Sequence, residues 1–175
     1  MRPGHPQIEE VEVLKGIVVY DSVHGNTKQV AEAIAEQIRS EGHQVELKAL
    51  REGSVRALLG DFMFIGSPTR AGRMTEEAKE FVESLDVGYW KDRPIVVFDT
   101  IGPLSKDKEK RNKTLKMAEG YSKNAASKLQ ELCRERGLKC SNTMHFAVTG
   151  MWGPLAPDAL DMAKEHTRRF LATLK

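Results

Sequence analysis

Short apolar segments alternate along the chain with longer amphipathic ones. Three of the short segments, Gly16–Tyr20, Asp61–Ile65 and Ile95–Phe98, are β-branched or aromatic runs, typical of strands buried on both faces. Gln44–Lys48 alternates apolar and polar positions, and Lys139–Val148 is a further run of strand length. The pattern therefore predicts five strands.

The longer segments between these strands have the spacing of helices. Apolar residues recur at helical intervals in Thr27–Glu41 and in Thr75–Leu85, and Gly42 stands where the first of these helices should end. A further helix is predicted through Ala125–Cys133, and Pro157 suits the first turn of the last one. Strands that alternate with helices form a parallel sheet with helices on both faces. The predicted fold class is α/β, a three-layer, doubly wound, five-stranded parallel sheet.

Length and composition narrow the class of protein. The chain has 175 residues, which suits a flexible N-terminal arm over 1–12 and one domain over 13–175. No apolar run approaches the ~20 residues of a membrane helix, and the polar N-terminus does not suit a secretory signal. Cys133 and Cys140, the two cysteines, are interpreted as buried small side chains rather than a redox pair, so the predicted location is cytoplasmic.

Charge is nearly balanced overall but uneven along the chain. A net charge of +2 is too small for a protein that lives on nucleic acid. The segment 105–116 nevertheless concentrates basic residues, which leaves two interpretations: a solvated loop or exposed helix start, and a docking patch for an acidic partner. The basic residues of this segment are Lys106, Lys108, Lys110, Arg111, Lys113 and Lys116.

In open parallel sheets, ligands bind beyond the carboxyl ends of the strands. The loops after Tyr20, Ile65 and Phe98 are therefore the candidate site. The first of them, Asp21–Thr27, combines hydroxyls, an amide, an imidazole and a glycine at the start of a helix, where free backbone N–H groups favour a phosphate. The chain contains neither the Gly-x-x-x-x-Gly-Lys-Ser/Thr string nor Gly-x-Gly-x-x-Gly.

Tyr20–Ala35 resembles the first strand, phosphate loop and first helix of the flavodoxin family. That resemblance implies strand order 2-1-3-4-5, a sheet order for which flavodoxin itself is a type case, and flavin mononucleotide (FMN) as cofactor. His24 stands where the family more usually has a hydroxyl. The cofactor-binding residues implied in this loop are Ser22, Val23, His24, Gly25, Asn26 and Thr27.

The other two loops extend the resemblance. Gly66–Met74 is similar to the Gly-Ser-Pro-Thr turn that borders the flavin ring in the family, and Met151–Leu160 is similar to the start of the last helix in archaeal-type flavodoxin domains. Gly66 and Ser67 stand where a receiver domain of the same fold needs its acceptor aspartate. The further implied cofactor-binding residues are Ser67, Pro68, Thr69, Arg70, Ala71 and Gly72, followed by Thr100, Ile101 and Gly102.

Neither of these two loops carries an aromatic residue to cover the ring. Arg70, Met74, Ile101, Leu104 and Trp152 are the alternatives for that role.

Three functions remain open at this stage. The first is an electron-transfer protein that cycles bound FMN and exchanges electrons with a partner protein or a small donor or acceptor. The second is an FMN-dependent NAD(P)H or quinone oxidoreductase, favoured by the missing aromatic covers. The third is a flavin-free interaction protein. Beyond His24 the loops offer no acid, base or nucleophile, so no catalytic residue is predicted. The scattered histidines predict no metal site.

Overall fold

The computed structural model describes residue 4 and residues 12–53 and 58–174. The predicted arm over 1–12 lies almost wholly outside the described residues. A short 3₁₀ turn, Leu50–Glu52, follows the second strand. The strands are β1 (Lys15–Tyr20), β2 (Gln44–Ala49), β3 (Phe62–Pro68), β4 (Ile95–Ile101) and β5 (Cys140–Ala147), and the helices are α1 (Asn26–Ser40), α2 (Glu76–Ser84), α3 (Val87–Trp90), α4 (Lys108–Ala118), α5 (Ala125–Glu135) and α6 (Ala159–Ala172).

The five strands form one sheet in the order β2-β1-β3-β4-β5, and every neighbouring pair is parallel. This arrangement confirms the predicted fold class and strand order. Because all strands run the same way, their carboxyl ends lie along one edge of the sheet, and the loops that leave this edge are brought together.

A hydrophobic layer covers each face of the sheet. Apolar side chains of α1, α4 and α6 pack on one face, and those of α2, α3 and α5 pack on the other. Residues of the central strands alternate between the layers, since Phe64 and Phe98 belong to the first layer and Ile65 and Val97 to the second. Close packing requires glycine at Gly66, where a Cβ atom would lie 2.2 Å from the Phe98 ring.

Two central strands are longer than the apolar pattern predicts. β3 continues through Ser67 and Pro68, and β4 continues to Ile101, because their polar residues still pair in register: Ser67 lies opposite Asp99 and Pro68 opposite Thr100. Several of the predicted loop residues therefore sit on the rigid ends of strands. A site built on strand ends holds its side chains more precisely than a loop does.

The basic segment is a helix of its own. α4 begins after Asp107, whose carboxylate accepts a hydrogen bond from the Lys110 amide, and it ends before the separate helix α5. The hydrophobic periodicity of α4 is weak because the helix buries only Arg111, Leu115 and Ala118. Of the two structural interpretations of segment 105–116, a solvated loop and an exposed helix start, the helix start agrees in part with α4.

The two cysteines lie where α5 meets the start of β5, and both are buried and free. A hydrogen bond to Cys140, together with burial, raises the pKa of the Cys133 thiol, which keeps the thiol protonated and unreactive. Their surroundings support the interpretation as buried small side chains. Among the helices that the structure describes, none is long and apolar enough to cross a membrane.

Candidate functional site

The loops at the carboxyl edge of the sheet enclose a cavity of about 660 Å³. This volume is within the range of cofactor and small-molecule sites, roughly 300–1,000 Å³. Four loops contribute to its wall, namely those that follow β1, β3, β4 and β5. The lining residues are Ser22, Val23, His24, Asn26, Thr27, Pro68, Thr69, Arg70, Ala71, Thr100, Gly102, Val148, Met151 and Trp152.

The first loop leads directly into α1. Gly25 precedes the helix with φ of 91°, a left-handed conformation that glycine adopts without strain. The Ser22 hydroxyl accepts hydrogen bonds from the Gly25 amide at 3.1 Å and the Lys28 amide at 3.3 Å, which folds the loop back over the helix end. The first-turn amides of Asn26 and Thr27 have no partner within the helix, as at any helix N-terminus. Together with the positive end of the helix dipole, they suit an anionic group.

Asn26 and Thr27 also join the first loop to its neighbours. Thr27 is buried, and its hydroxyl lies 2.9 Å from the Thr100 hydroxyl at the end of β4. The Asn26 side-chain amide donates a hydrogen bond of 3.1 Å to the Trp152 carbonyl. These two residues therefore fix the distance between three of the four loops that form the wall.

The second loop contains a tight two-residue turn. Ala71 and Gly72 have φ of 49° and 77°, and Arg70 and Arg73 exchange backbone hydrogen bonds of 2.8 and 2.9 Å across them. Two successive positive φ angles of this kind are those of a type I′ turn. Ala71 lines the cavity, whereas a Cβ at Gly72 would point at Lys123.

His24 and Trp152 meet at the mouth of the cavity. Their rings are 5.8 Å apart between centroids, and the His24 Nε2 atom lies 3.2 Å from a guanidinium nitrogen of Arg70. The Trp152 side chain is 66% exposed. The loop after β5 thus supplies the one aromatic ring that the second and third loops lack.

Two buried carboxylates lie near the site with different partners. The Asp21 carboxylate accepts hydrogen bonds from both Nε and Nη2 of Arg51, at 2.6 and 3.2 Å, so the guanidinium neutralises its charge. This hydrogen bond and the Asp21 charge raise the pKa of Arg51. Asp99 is also fully buried, but it contacts an imidazole instead of a guanidinium: its Oδ1 atom lies 2.9 Å from Nδ1 of His145.

Most of the predicted cofactor-binding residues line the cavity, but four do not: Gly25, Ser67, Gly72 and Ile101. Ser67 is fully buried, where its hydroxyl donates to the Pro68 carbonyl and accepts from the Thr75 amide, so it shapes the turn after β3 instead.

The sequence-based prediction did not assign Val148 and Met151 to the wall and left Trp152 as one alternative cover. The sequence feature that could have identified these residues is their position just after the fifth predicted strand of the same sheet.

No group of three or more histidine, cysteine or carboxylate side chains arranged to hold a metal occurs among the described residues.

A family model described as a flavodoxin domain matches residues 17–148 of the chain. A flavodoxin of Aquifex aeolicus is 38% identical over 78 residues, which are 43% of this chain and 42% of the relative. The matches span less than half the length of the curated relatives.

Solved structures show the same fold. A flavodoxin from the domain Archaea superposes with a TM-score of 0.65 at 20% identity, over 91% of this chain and 97% of the other. The flavodiiron core Flv1 of Synechocystis superposes with a TM-score of 0.66 at 19% identity, over 95% of this chain and 37% of the other. At these identities the likeness concerns the fold.

Proposed function

Because the chain belongs to the flavodoxin domain family, we propose that it binds FMN in the cavity and serves as an electron-transfer protein. The observation that carries the proposal is the position of the α1 N-terminus, whose free first-turn amides open into a cavity of about 660 Å³. The cysteine usage supports a cytoplasmic location for this activity.

The donor set of the cavity fits FMN. The first-turn amides and the Asn26 and Ser22 side chains would hold the phosphate at the helix N-terminus. Thr69, Thr100 and the backbone near Ala71 offer polar groups to the ring edge, while Val148 and Met151 provide apolar wall. Bound FMN would supply a reversible acceptor of one or two electrons. The chain itself would bind and orient the flavin and leave an edge near the mouth open to a redox partner.

The first test is the visible spectrum of the purified protein after addition of FMN, followed by anaerobic titration with NAD(P)H. We expect flavin absorbance that is retained on the protein and bleaches only with dithionite or a partner reductase. Absence of bound flavin would contradict the proposal and favour a flavin-free interaction protein.

An FMN-dependent NAD(P)H or quinone oxidoreductase is the second candidate. It is favoured by the open mouth of the cavity, where the Trp152 side chain is largely exposed. Space beside the flavin would admit a nicotinamide or quinone ring. Direct bleaching by NAD(P)H in the same titration would select this function over the carrier.

Trp152 is assigned as a cover of the flavin ring. Replacing Trp152 by alanine should weaken FMN binding about 5- to 10-fold, because an aromatic contact contributes about 1 kcal/mol beyond its buried area. Flavin fluorescence quenching measures this affinity. Trp152→Phe keeps a ring and should retain most of the affinity. Equal affinity of the wild type and both variants would remove Trp152 from the site.

The docking surface for a partner is proposed to be basic. Lys106, Lys108, Lys110, Lys113 and Lys116 are exposed, and among the described residues none has a carboxylate within salt-bridge distance. Arg111 does not belong to this surface, because it is only 3% exposed and pairs with Asp158. The lysines follow closely on Gly102 of the cavity wall, and Leu104 donates a 2.8 Å hydrogen bond to Val148, another wall residue. They therefore attract a negatively charged partner to the cavity edge.

Charge reversal at Lys110 and Lys113 tests this surface. Oxidation of the reduced holoprotein by anionic ferricyanide should slow severalfold in Lys110→Glu/Lys113→Glu at low salt, and the difference should vanish at high salt. Hexaamminecobalt(III), a cationic acceptor, should react faster with the variant than with the wild type. Lys91→Glu/Lys139→Glu is a control of equal charge, since both lysines are exposed and precede β4 and β5 at the opposite edge of the sheet. Equal effects from both pairs would reject a localised surface.

A further inference from the structure

Asp99 stands out among the charged residues because it is buried beneath the cavity wall. Its side chain lies on β4 with no exposed surface, and its register partner on β5 is His145, which is 5% exposed. Among the described residues no lysine or arginine forms a salt bridge with it, in contrast to Asp21 and Arg51. In this part of the chain, the Asp99 carboxylate therefore has no permanent cation beside it.

Three polar groups surround the Asp99 carboxylate. Oδ2 accepts the Ala126 amide at 3.0 Å and the Thr69 hydroxyl at 3.3 Å, and Oδ1 lies 2.9 Å from Nδ1 of His145. An ionised carboxylate offers acceptors alone, and the Ala126 amide and the Thr69 hydroxyl both donate to one. With the imidazole proton on Nδ1, this nitrogen donates to Asp99, and Nε2, 3.2 Å from the Thr143 hydroxyl, accepts from it. In this arrangement the imidazole is neutral and the pair keeps one negative charge.

This charge lies one side chain from the cavity. Thr69, which donates to Asp99, lines the cavity, and so does Thr100, the next residue on β4. The Asp99 side chain has no exposed surface and contacts Thr69 directly, so the field of its charge is weakly screened. An electron that enters a ligand in the cavity is repelled by this charge.

We infer that Asp99 lowers the reduction potential of the bound flavin, with His145 holding the carboxylate in place. The inference rests on the proposed function, because it concerns the FMN that the cavity would hold. Asp99 acts through space and through Thr69, without itself lining the cavity.

Asp99→Asn removes the charge and can preserve the hydrogen bonds. The new amide oxygen accepts from Ala126 and Thr69, and the new amide nitrogen donates to His145 Nδ1 once the imidazole proton moves to Nε2, which then donates to Thr143. The helix α5 keeps the capping contact at Ala126. Thr143→Val is the matched control, because it removes the hydrogen bond between Thr143 and His145 and leaves the Asp99 charge in place.

The experiment measures FMN affinity first and the midpoint potential second, by equilibration with redox dyes at neutral pH. We expect Asp99→Asn to favour reduced over oxidised FMN about tenfold more than the wild type does, which is about +30 mV for a two-electron couple. Thr143→Val should leave the potential unchanged. Bound FMN with an unmoved potential in Asp99→Asn overturns the inference alone, whereas failure of the wild type to bind FMN overturns the proposed function with it.

Nitrogen-15 NMR of the wild-type apoprotein provides a test that does not depend on the variant's folding. The inference requires a neutral His145 with its proton on Nδ1. A doubly protonated imidazole at neutral pH would cancel the Asp99 charge and overturn it. Asp99→Asn, where it folds, should show the proton on Nε2, a tautomer change that a purely structural role for Asp99 does not require.

Discussion

Replacement of Asn26 and Thr27 together by alanine should weaken FMN binding about 30- to 1,000-fold. The expected loss is about 2–4 kcal/mol, or about 1–2 kcal/mol for each hydrogen bond to the charged phosphate or to the loops that shape its site. Asn26 donates to the Trp152 carbonyl and Thr27 contacts Thr100. The double variant thus loses side-chain donors beside the helix N-terminus and also loosens three loops of the wall. Titration of the apoprotein with FMN, followed by fluorescence, measures the loss.

Riboflavin separates the two contributions. It lacks the phosphate, so any fall in its affinity reports only the loosened wall, and the FMN affinity should fall further than the riboflavin affinity. Asn112→Ala/Thr114→Ala removes the same two residue types from α4, where Thr114 only bonds back to the Lys110 carbonyl. That control should bind FMN as the wild type does. Unchanged FMN affinity in Asn26→Ala/Thr27→Ala would place the phosphate elsewhere.

The first loop and the helix that it leads into were predictable because their features are local. A buried strand, a run of polar residues with Gly25 and an amphipathic helix follow one another within the segment from Gly16 to Ser40, and the structure retains that order. The parallel sheet was likewise predictable from the alternation, whereas the strand order came from the family resemblance. Local patterns of this kind do not depend on which distant residues come into contact.

Features that depend on register and on distant contacts were not predictable. Asp99 looks like the first residue of a polar loop, and only its pairing with His145 and the position of Ala126 show that it is buried. In the sequence Ser67 looks like a ligand-binding hydroxyl, but in the structure its hydroxyl bonds to the Pro68 carbonyl and the Thr75 amide. Trp152 lies in a Gly- and Pro-rich stretch with no periodicity, so its approach to His24 depends on the fold.

Arg111 shows how far a charge pattern can mislead. In sequence it is one of six neighbouring cations, yet it alone among them points inward. Its guanidinium donates to the Ser105 and Lys106 carbonyls at 3.3 and 3.1 Å and to the Asp158 carboxylate at 3.4 Å. Arg111 therefore joins the segment before α4 to the start of α6, and these two segments follow the third and fourth loops of the cavity.

Arg111→Ala should lower the free energy of unfolding by about 2–4 kcal/mol. The variant loses three hydrogen bonds, leaves the partly buried Asp158 without its cation and opens a cavity under α4. The Arg111 Nε atom is buried without a partner among the described residues, which costs free energy in the wild type. Removing the side chain removes this cost, so the loss of stability is smaller than for an arginine whose donors are all hydrogen-bonded. Urea unfolding of the apoprotein measures the change, and thermal unfolding should shift by roughly 5–15 °C.

A double-mutant cycle assigns the loss to the pair. Arg111→Ala and Asp158→Ala should each destabilise the fold, and the double variant should cost less than their sum, because neither change then leaves a charge unpaired. Arg111→Met keeps most of the buried volume and should recover part of the stability, whereas Lys113→Ala on the exposed face of the same helix should cost less than about 0.5 kcal/mol. Strict additivity in the cycle would mean that Arg111 stabilises the fold through its packing and its hydrogen bonds to the Ser105 and Lys106 carbonyls, without a contribution from Asp158. In that case the third and fourth loops of the cavity would still be joined by two backbone hydrogen bonds, from Leu104 to Val148 and from Val148 to Ile101.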